Sequence, residues 1–356
     1  MFFYSIRNNL NFDFFEIKIY KIIFLITISL AALESFYFIY FGQKTSIPSF
    51  ILGIFSLIII ISFIIKKNQP YWIKNEIKIY ILIFISIIQM PLHFLACSRI
   101  SSKKQICDEY LIKIDTSLFG NLLPKGQLSL YLDDNNIFGP LTLYGKILNN
   151  ILIIFYYLYY IIPYSLIYII LLKKCVQETI YRYNNYGKKS NTFYYTWNKF
   201  YFTSSIYILT YILIFFINTN VPAISPRLYL KNEYKNEIIY FGINKYLTKI
   251  VKDDGSANSF PSGHVGETFC FVFPFYTMKH YHIGNLILLI SILISLSTLV
   301  LRYHYFFDII IGFIIALISF IICCFIKFIF NDKSIQIYEK NNLKELFLKE
   351  IEMANI

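Results

Sequence analysis

Charge is scarce in this chain. Asp, Glu, Lys and Arg make up 15% of its 356 residues, where soluble domains usually carry about 25%. With 57% of residues hydrophobic, too little polar surface remains to cover a core in water, which excludes an ordinary soluble protein. Cysteine is equally uninformative as a framework. Of the six, Cys323 and Cys324 are adjacent inside an apolar run, and no Cys-x-x-Cys occurs, so neither a zinc site nor a disulfide scaffold follows. Cys97 and Cys107, near one loop, are the pair a disulfide could join. A nucleotide-binding glycine loop, an internal repeat and a soluble domain at either end are also missing. No cleavable leader is expected, because the first apolar span starts near Lys18, is long enough to cross a bilayer, and reads as an uncleaved anchor.

What is present is a series of apolar runs. A helix needs about 20 mostly apolar residues to cross the hydrocarbon layer. Such runs occupy 18–41, 47–65, 77–97, 147–172, 201–221, 264–281, 283–303 and 305–328. The expected fold is therefore all-α, a polytopic membrane helix bundle of about eight transmembrane helices. The sixth run is the least apolar, with Glu267, Thr268 and Pro274. The net charge of +12 is read as membrane orientation, not nucleic-acid binding, because the basic residues sit between and after the spans. Lys66, Lys67 and Lys74 mark one cytoplasmic loop; Lys173, Lys174, Arg182, Lys188, Lys189 and Lys199 mark another; the tail after 328 is lysine-rich. The loops 98–146 and 222–263 then face outward. The first is long for a connector, which favours a functional segment, and its stretch Ile114-Asp115-Thr116-Ser117-Leu118-Phe119-Gly120 either lies along the interface or dips toward the site.

Three polar clusters fall at predicted external ends of spans: Val221-Pro222-Ala223-Ile224-Ser225-Pro226-Arg227, Ser259-Phe260-Pro261-Ser262-Gly263-His264, and Arg302-Tyr303-His304-Tyr305-Phe306-Phe307-Asp308. They hold two of the five histidines. His304 and Asp308 are four apart, so on a helix they share a face. A carboxylate bonded to one imidazole nitrogen frees the other as a nucleophile. Asp308 lies just inside an apolar run, where a carboxylate costs about 2.5–3.5 kcal/mol on insertion scales and needs a partner. Gly312, one turn on, admits a neighbouring helix. The second cluster reads as a phosphate cradle, with the Ser262 hydroxyl, the Gly263 amide and His264 at a helix start, where negative charge is favoured. Arg302 and Arg227 offer planar, bidentate contacts to phosphate oxygens.

These residues resemble the type 2 phosphatidic acid phosphatase superfamily over roughly 200–325. The Pro-Ser-Gly-His and His-x-x-x-Asp elements stand in order at the ends of consecutive spans. The resemblance implies a six-helix phosphatase-type core and chemistry without metal or other cofactor. By it, His304 attacks phosphorus to form a phosphohistidine, His264 protonates the leaving alkoxide, and Asp308 supports the nucleophile. The departures concern arginine and lysine. Where the family has lysine, seven residues before an Arg-Pro pair, this chain has Asn220, and Leu228 follows Arg227. Where it has arginine six residues before the histidine, this chain has Thr298, with Arg302 one helical turn later and expected to reach the same face. This variant pattern, with Leu118-Phe119-Gly120, is similar to the branch containing inositol phosphorylceramide synthases and bacterial relatives.

The expected organisation is N-terminal transmembrane helices and loop at 1–76, a phosphatase/phosphotransferase-type core at 77–330 and a charged cytoplasmic tail at 331–356. The expected function is hydrolysis of a lipid phosphomonoester or diphosphate on the non-cytoplasmic face, toward the periplasm, exterior or an organelle lumen. The alternative is transfer of a phospho-head group to a second lipid alcohol. A transporter is disfavoured because the polar residues gather at one membrane face, and a dead scaffold because the His-His-Asp set is intact. The partners implied are a lipid phosphate substrate and membrane lipids, with no nucleic acid; the sequence does not give the oligomeric state. Glu34 is expected to reach water near the outer end of its span. The abundant tyrosines read as lipid-facing bulk and interfacial belt.

Overall fold

The computed structural model describes residues 16–40, 51–59, 104–135, 143–162, 193–236 and 258–328, with single helical positions between 81 and 92 and isolated residues at 177 and 238. The described residues are helical throughout, apart from turns and one isolated bridge between Ala223 and Asn258. The helices are, in chain order, α1 (Glu16–Tyr40), α2 (Asp108–Phe119), the short α3 (Leu128–Asp134), α4 (Leu143–Leu158) and α5 (Phe193–Asn220). After these come the short α6 (Pro226–Tyr229), α7 (Gly263–Phe269) and α8 (Val272–Thr277), then α9 (Tyr281–Val300) and α10 (Phe306–Phe328). A further helical stretch lies at 51–59.

Three of these are long and apolar enough to cross a membrane: Lys199–Asn220 within α5, Tyr281–Val300 and Phe306–Phe328. At 1.5 Å per residue, the 20 residues of α9 extend about 30 Å, the thickness of the hydrocarbon layer. The chain is thus an all-α polytopic membrane helix bundle. Most of the expected spans 47–65 and 77–97, the Cys97 side of the disulfide pair, and the 331–356 tail lie outside the described residues.

The distribution of side chains is the reverse of a soluble bundle. Leu286, Leu289, Ile292 and Leu296 on α9, and Ile314, Ile318, Ile321 and Phe325 on α10, are exposed, whereas Ser291, Ser297, Thr298 and Ser319 are buried. Lipid tails are as apolar as leucine, so nothing drives these side chains inward. The buried hydroxyls answer to their own helices: Ser291 Oγ donates to Ile287 O and Ser319 Oγ to Ile315 O, the back-bonding that lets a polar group sit inside a helix contact. The tight apolar core lies where α1 and α5 meet. Phe24 packs against Phe200 and Tyr201, and the cluster runs on through Tyr207, Phe271 and Phe275 to Phe320. Glu34 is 6% exposed; it faces into the bundle, contrary to the expectation that it reaches water.

The expected sixth span is not one helix. It divides into α7 and α8 across a turn at Cys270–Phe271. Pro274 explains the break, because it has no N–H and its ring would clash with the carbonyl of Cys270 four residues earlier. The division leaves α7 as a short piece that can press against α10. At their crossing, a Cβ on Gly312 would stand 2.5 Å from the Ser262 carbonyl oxygen and 3.3 Å from the Gly266 nitrogen. The glycine expected to admit a neighbouring helix does so, and the helix it admits is the one that carries His264.

Gly312→Ala should push α7 off α10. Overpacking of this kind costs about 1–3 kcal/mol, so the purified protein should melt earlier in detergent; unchanged melting would mean that the crossing is looser than 2.5 Å implies.

Candidate active site

The site is assembled from three loops, stitched backbone to backbone before any side chain acts. Ser259 N donates to Ala223 O (2.8 Å), Arg227 N to Arg302 O (2.9 Å) and Ser262 N to Asp308 O (3.1 Å). The three sequence clusters therefore meet at one end of the bundle, as their placement at span ends suggested.

The turn between α9 and α10 sets the position of His304. Helix α9 closes with Arg302 N donating to Leu299 O (3.0 Å) and Tyr303 N to Thr298 O (2.8 Å), the paired bonds of a Schellman ending. Arg302 holds the left-handed position at φ 66°, where glycine is usual because a Cβ there costs about 1–2 kcal/mol. Its side chain offsets the strain. Nη2 donates to Asp133 Oδ1 at 2.8 Å, Nη1 donates to Asn236 O at 3.0 Å, and the guanidinium lies 3.8 Å over the Tyr234 ring. Arg302, expected on the phosphate, is engaged here by Asp133 at the end of α3 and by the 234–236 stretch.

Beyond that turn, His304 and Asp308 pair as the i, i+4 spacing proposed, with His304 Nδ1 3.3 Å from Asp308 Oδ2. The shorter contact is elsewhere: Nδ1 lies 2.8 Å from the Ser259 carbonyl oxygen. A carbonyl only accepts, so Nδ1 carries the proton and Nε2 is left with its lone pair. The Ser259 hydroxyl meanwhile donates to Asp308 Oδ2 at 2.8 Å, and Tyr305 N donates to the same oxygen at 2.9 Å. Asp308 is wholly buried and sits in the first turn of α10, reaching back to the residue before the helix as the acid of a capping box does. Ser259 thus fixes both partners. Sequence reading quoted it in the cluster without assigning it a role; its signal was its place at a predicted span entrance.

His264 completes the centre. Its Nδ1 is 3.2 Å from His304 Nε2, so the acid and the nucleophile expected from separate motifs converge on one point. The His264 ring is stacked on Tyr156 (centroids 4.5 Å apart) and lies 4.2 Å from Tyr159. Tyr156 stacks in turn on Tyr303 at 4.3 Å, and the Arg227 guanidinium lies 4.4 Å over Tyr303. Of the two arginines, Arg227 is the one continuous with the histidine side. Tyr156 corrects the belt reading, since it is 3% exposed. Tyr159 and Tyr160, three and four residues on, follow it in the turn that ends α4.

The expected cradle residues stand at the start of α7. Ser262 is fully buried and caps α7, its Oγ accepting from Val265 N at 3.4 Å; the hydroxyl is thereby turned into the helix. Gly263 is the first residue of α7, and a Cβ there would meet Glu267 Oε1 at 3.4 Å and Ile214 and Tyr159 at 3.8 Å, ordinary contacts, so packing does not require glycine. Glu267, one turn beyond His264, is buried and accepts from the Tyr207 hydroxyl at 3.3 Å.

Residues 229–331 match the model of the PAP2 superfamily, a stretch that takes in Ser259, His264, Arg302, His304 and Asp308 and begins just after Arg227. The chain is 30% identical over 273 residues to a PA-phosphatase related-family protein of Dictyostelium discoideum, covering 71% of this chain and 47% of the relative. It thus spans about half the length of the curated relative that it matches. No solved structure matches it.

The strained, salt-bridged arginine gives a two-variant test. Arg302→Ala should cost about 3 kcal/mol by leaving Asp133 without its cation. Arg302→Gly loses the same bridge but relieves the left-handed backbone, and should be less destabilising than the alanine variant by about 1 kcal/mol. Denaturation in detergent measures both; equal losses would remove the strain argument.

Proposed function

We propose that this chain, which carries a PAP2 superfamily domain, hydrolyses a lipid phosphomonoester or diphosphate through a phosphohistidine on the non-cytoplasmic face of its membrane. One observation carries the reading: His304 has its Nδ1 proton committed to the Ser259 carbonyl, and its free Nε2 points at His264 Nδ1, 3.2 Å away. That is the arrangement a nucleophile and an acid need on either side of a phosphoryl group. To admit the phosphoryl group the two nitrogens must part, since attack itself needs about 3–3.5 Å between nitrogen and phosphorus.

In this mechanism Nε2 of His304 forms a bond to phosphorus as the bond to the lipid oxygen breaks. His264 delivers its proton to that oxygen, and Asp308 stabilises the positive ring that results. Water then attacks the phosphohistidine, His264 takes its proton, and phosphate leaves with His304 restored. Arg227 pairs with the equatorial oxygens. The chemistry asks nothing of a metal. The external orientation rests on the lysine-rich loops at 66–76 and 173–200, which the positive-inside rule assigns to the cytoplasm.

Transfer to a second lipid alcohol is the alternative. What favours it is that the segment bearing Leu118-Phe119-Gly120 packs on the catalytic turn, with Phe119 edge-on to Phe306 at 4.9 Å. A wall there is suited to excluding water and seating an acceptor.

Phosphate release from a panel of lipid phosphomonoesters and diphosphates, by wild-type protein and His304→Ala, tests the reading. Release should vanish in the variant and persist in chelator. The rate should be bell-shaped between about pH 5 and pH 9, because one histidine must be neutral and the other protonated. Arg227→Lys should lower kcat/KM about tenfold or more by replacing a planar fork with a point charge. No release from any substrate, with head-group exchange onto ceramide, would replace hydrolysis by transfer. Loss in chelator with recovery on adding metal would remove the metal-free mechanism.

A further inference from the structure

The external segment 104–135 engages the catalytic loops through three aspartates, only one of which has been accounted for above. Asp133 holds Arg302, and it also accepts from Lys235 N at 2.6 Å and Asn236 N at 3.3 Å. Asp108, at the start of α2, accepts from Ile224 N at 2.9 Å and from the Tyr305 hydroxyl at 2.7 Å, tying the first motif loop to the third. Asp115 is wholly buried. Its Oδ1 accepts from Phe307 N at 3.0 Å and its Oδ2 from Phe306 N at 3.1 Å, and Gln127 Nε2 steadies Oδ2 at 3.1 Å.

Phe306 and Phe307 are the first two residues of α10. Their N–H groups are orphans of the first turn, which a side chain of the residue before the helix normally satisfies. That residue is Tyr305, whose side chain is turned to Asp108. Asp115 supplies the missing cap from another part of the chain, and its charge sits where the helix dipole favours it. The next residue of the same turn is Asp308.

We infer that Asp115 is a positioning residue of the active site: by capping α10 in trans it fixes the turn that carries His304 and Asp308, and the external segment is a built part of the catalytic centre. The segment is shaped for this. Gly126, at φ 69°, brings Gln127 back against α2, and a Cβ there would lie 2.3 Å from Thr116 N. The Thr116 hydroxyl donates to Lys125 O at 2.9 Å, closing the loop directly behind Asp115. The carboxylate therefore arrives already oriented.

Two measurements on the full chain in detergent test this, and only the second rests on the phosphatase reading. The first is hydrogen exchange. In Asp115→Ala the amides of 305–308 should exchange about a hundredfold faster or more, the worth of two hydrogen bonds to a charged group, while the middle of α9 stays unchanged. Asp115→Asn keeps an acceptor oxygen and should lie between. The second is steady-state hydrolysis of phosphatidic acid and of a lipid diphosphate. Asp115→Ala should lower kcat about tenfold or more with KM nearly constant, and Asp115→Asn should recover part of it. Unchanged exchange at 305–308, or a loss confined to KM, would overturn the proposal. Uniformly faster exchange across α9 and α10 in both variants would reduce Asp115 to a stabiliser of the whole fold and also overturn it. If wild-type protein hydrolyses neither lipid, the phosphatase reading fails, and the exchange result still decides the role of Asp115.

Discussion

The proton on His304 Nδ1 is held by a main-chain carbonyl, that of Ser259, and the chemistry available to the site follows from that bond. A carbonyl cannot exchange roles, so the tautomer of His304 is set by where the 258–262 loop runs, not by the charge state of a neighbour. Asp308 then has a second task besides the one its spacing suggests. It gathers Ser259 Oγ, Tyr305 N and the imidazole edge, and so fixes the position of the loop whose carbonyl selects the tautomer. The serine that links them is as important to the geometry as the aspartate.

Keeping that loop in place depends on packing far from polar chemistry. The loop leads into α7, which can lie close to α10 only because Gly312 and Gly266 leave no side chain between the backbones. Helix α7 can be short and separately tilted because Pro274 breaks what would otherwise be a continuous span. In lipid there is no hydrophobic force between apolar helices, so close backbone contact of this kind is what holds them together. The same feature that secures the fold brings His264 to within hydrogen-bond distance of His304.

The helices and the His304–Asp308 pair were legible in the sequence because both have short-range signatures. Apolar runs of bilayer length mark α5, α9 and α10, and His304 with Asp308 declares itself by a four-residue spacing. Arg302 was legible as a functional arginine but not in its direction. Its left-handed backbone depends on how α9 ends, and its partner Asp133 lies 169 residues away in sequence. Tyr156 was hidden by abundance, one of 32 tyrosines, although its periodicity with Tyr159 and Tyr160 could have singled it out. Ser262 shows the limit of motif logic: the hydroxyl that fits a phosphate cradle equally fits an N-cap, and only the helix direction decides. The aspartates of the 104–135 segment carry no local pattern, because most of their donors lie about a hundred residues or more away in the chain.

Those aspartates raise an electrostatic question, since the site proposed for a lipid phosphate has three carboxylates built around it besides Asp308. Burial pushes Asp108 and Asp115 up to about 6, above the ordinary carboxylate range, so the folded chain holds these protons more tightly than the unfolded one. Between about pH 4 and pH 6 each ionisation therefore costs stability, and above that window the cost is constant. At neutral pH both are charged, and each charge is answered locally: Asp115 by the first amides of α10, Asp108 by Ile224 N and the Tyr305 hydroxyl, Asp133 by Arg302. Their fields are largely spent on these donors before they reach the histidines. Arg302 is engaged by Asp133 in the process, whereas Arg227 lies over Tyr303, which stacks on Tyr156 beside His264. In the proposed mechanism Arg227 is therefore the cation that the incoming phosphoryl group meets together with the two imidazoles.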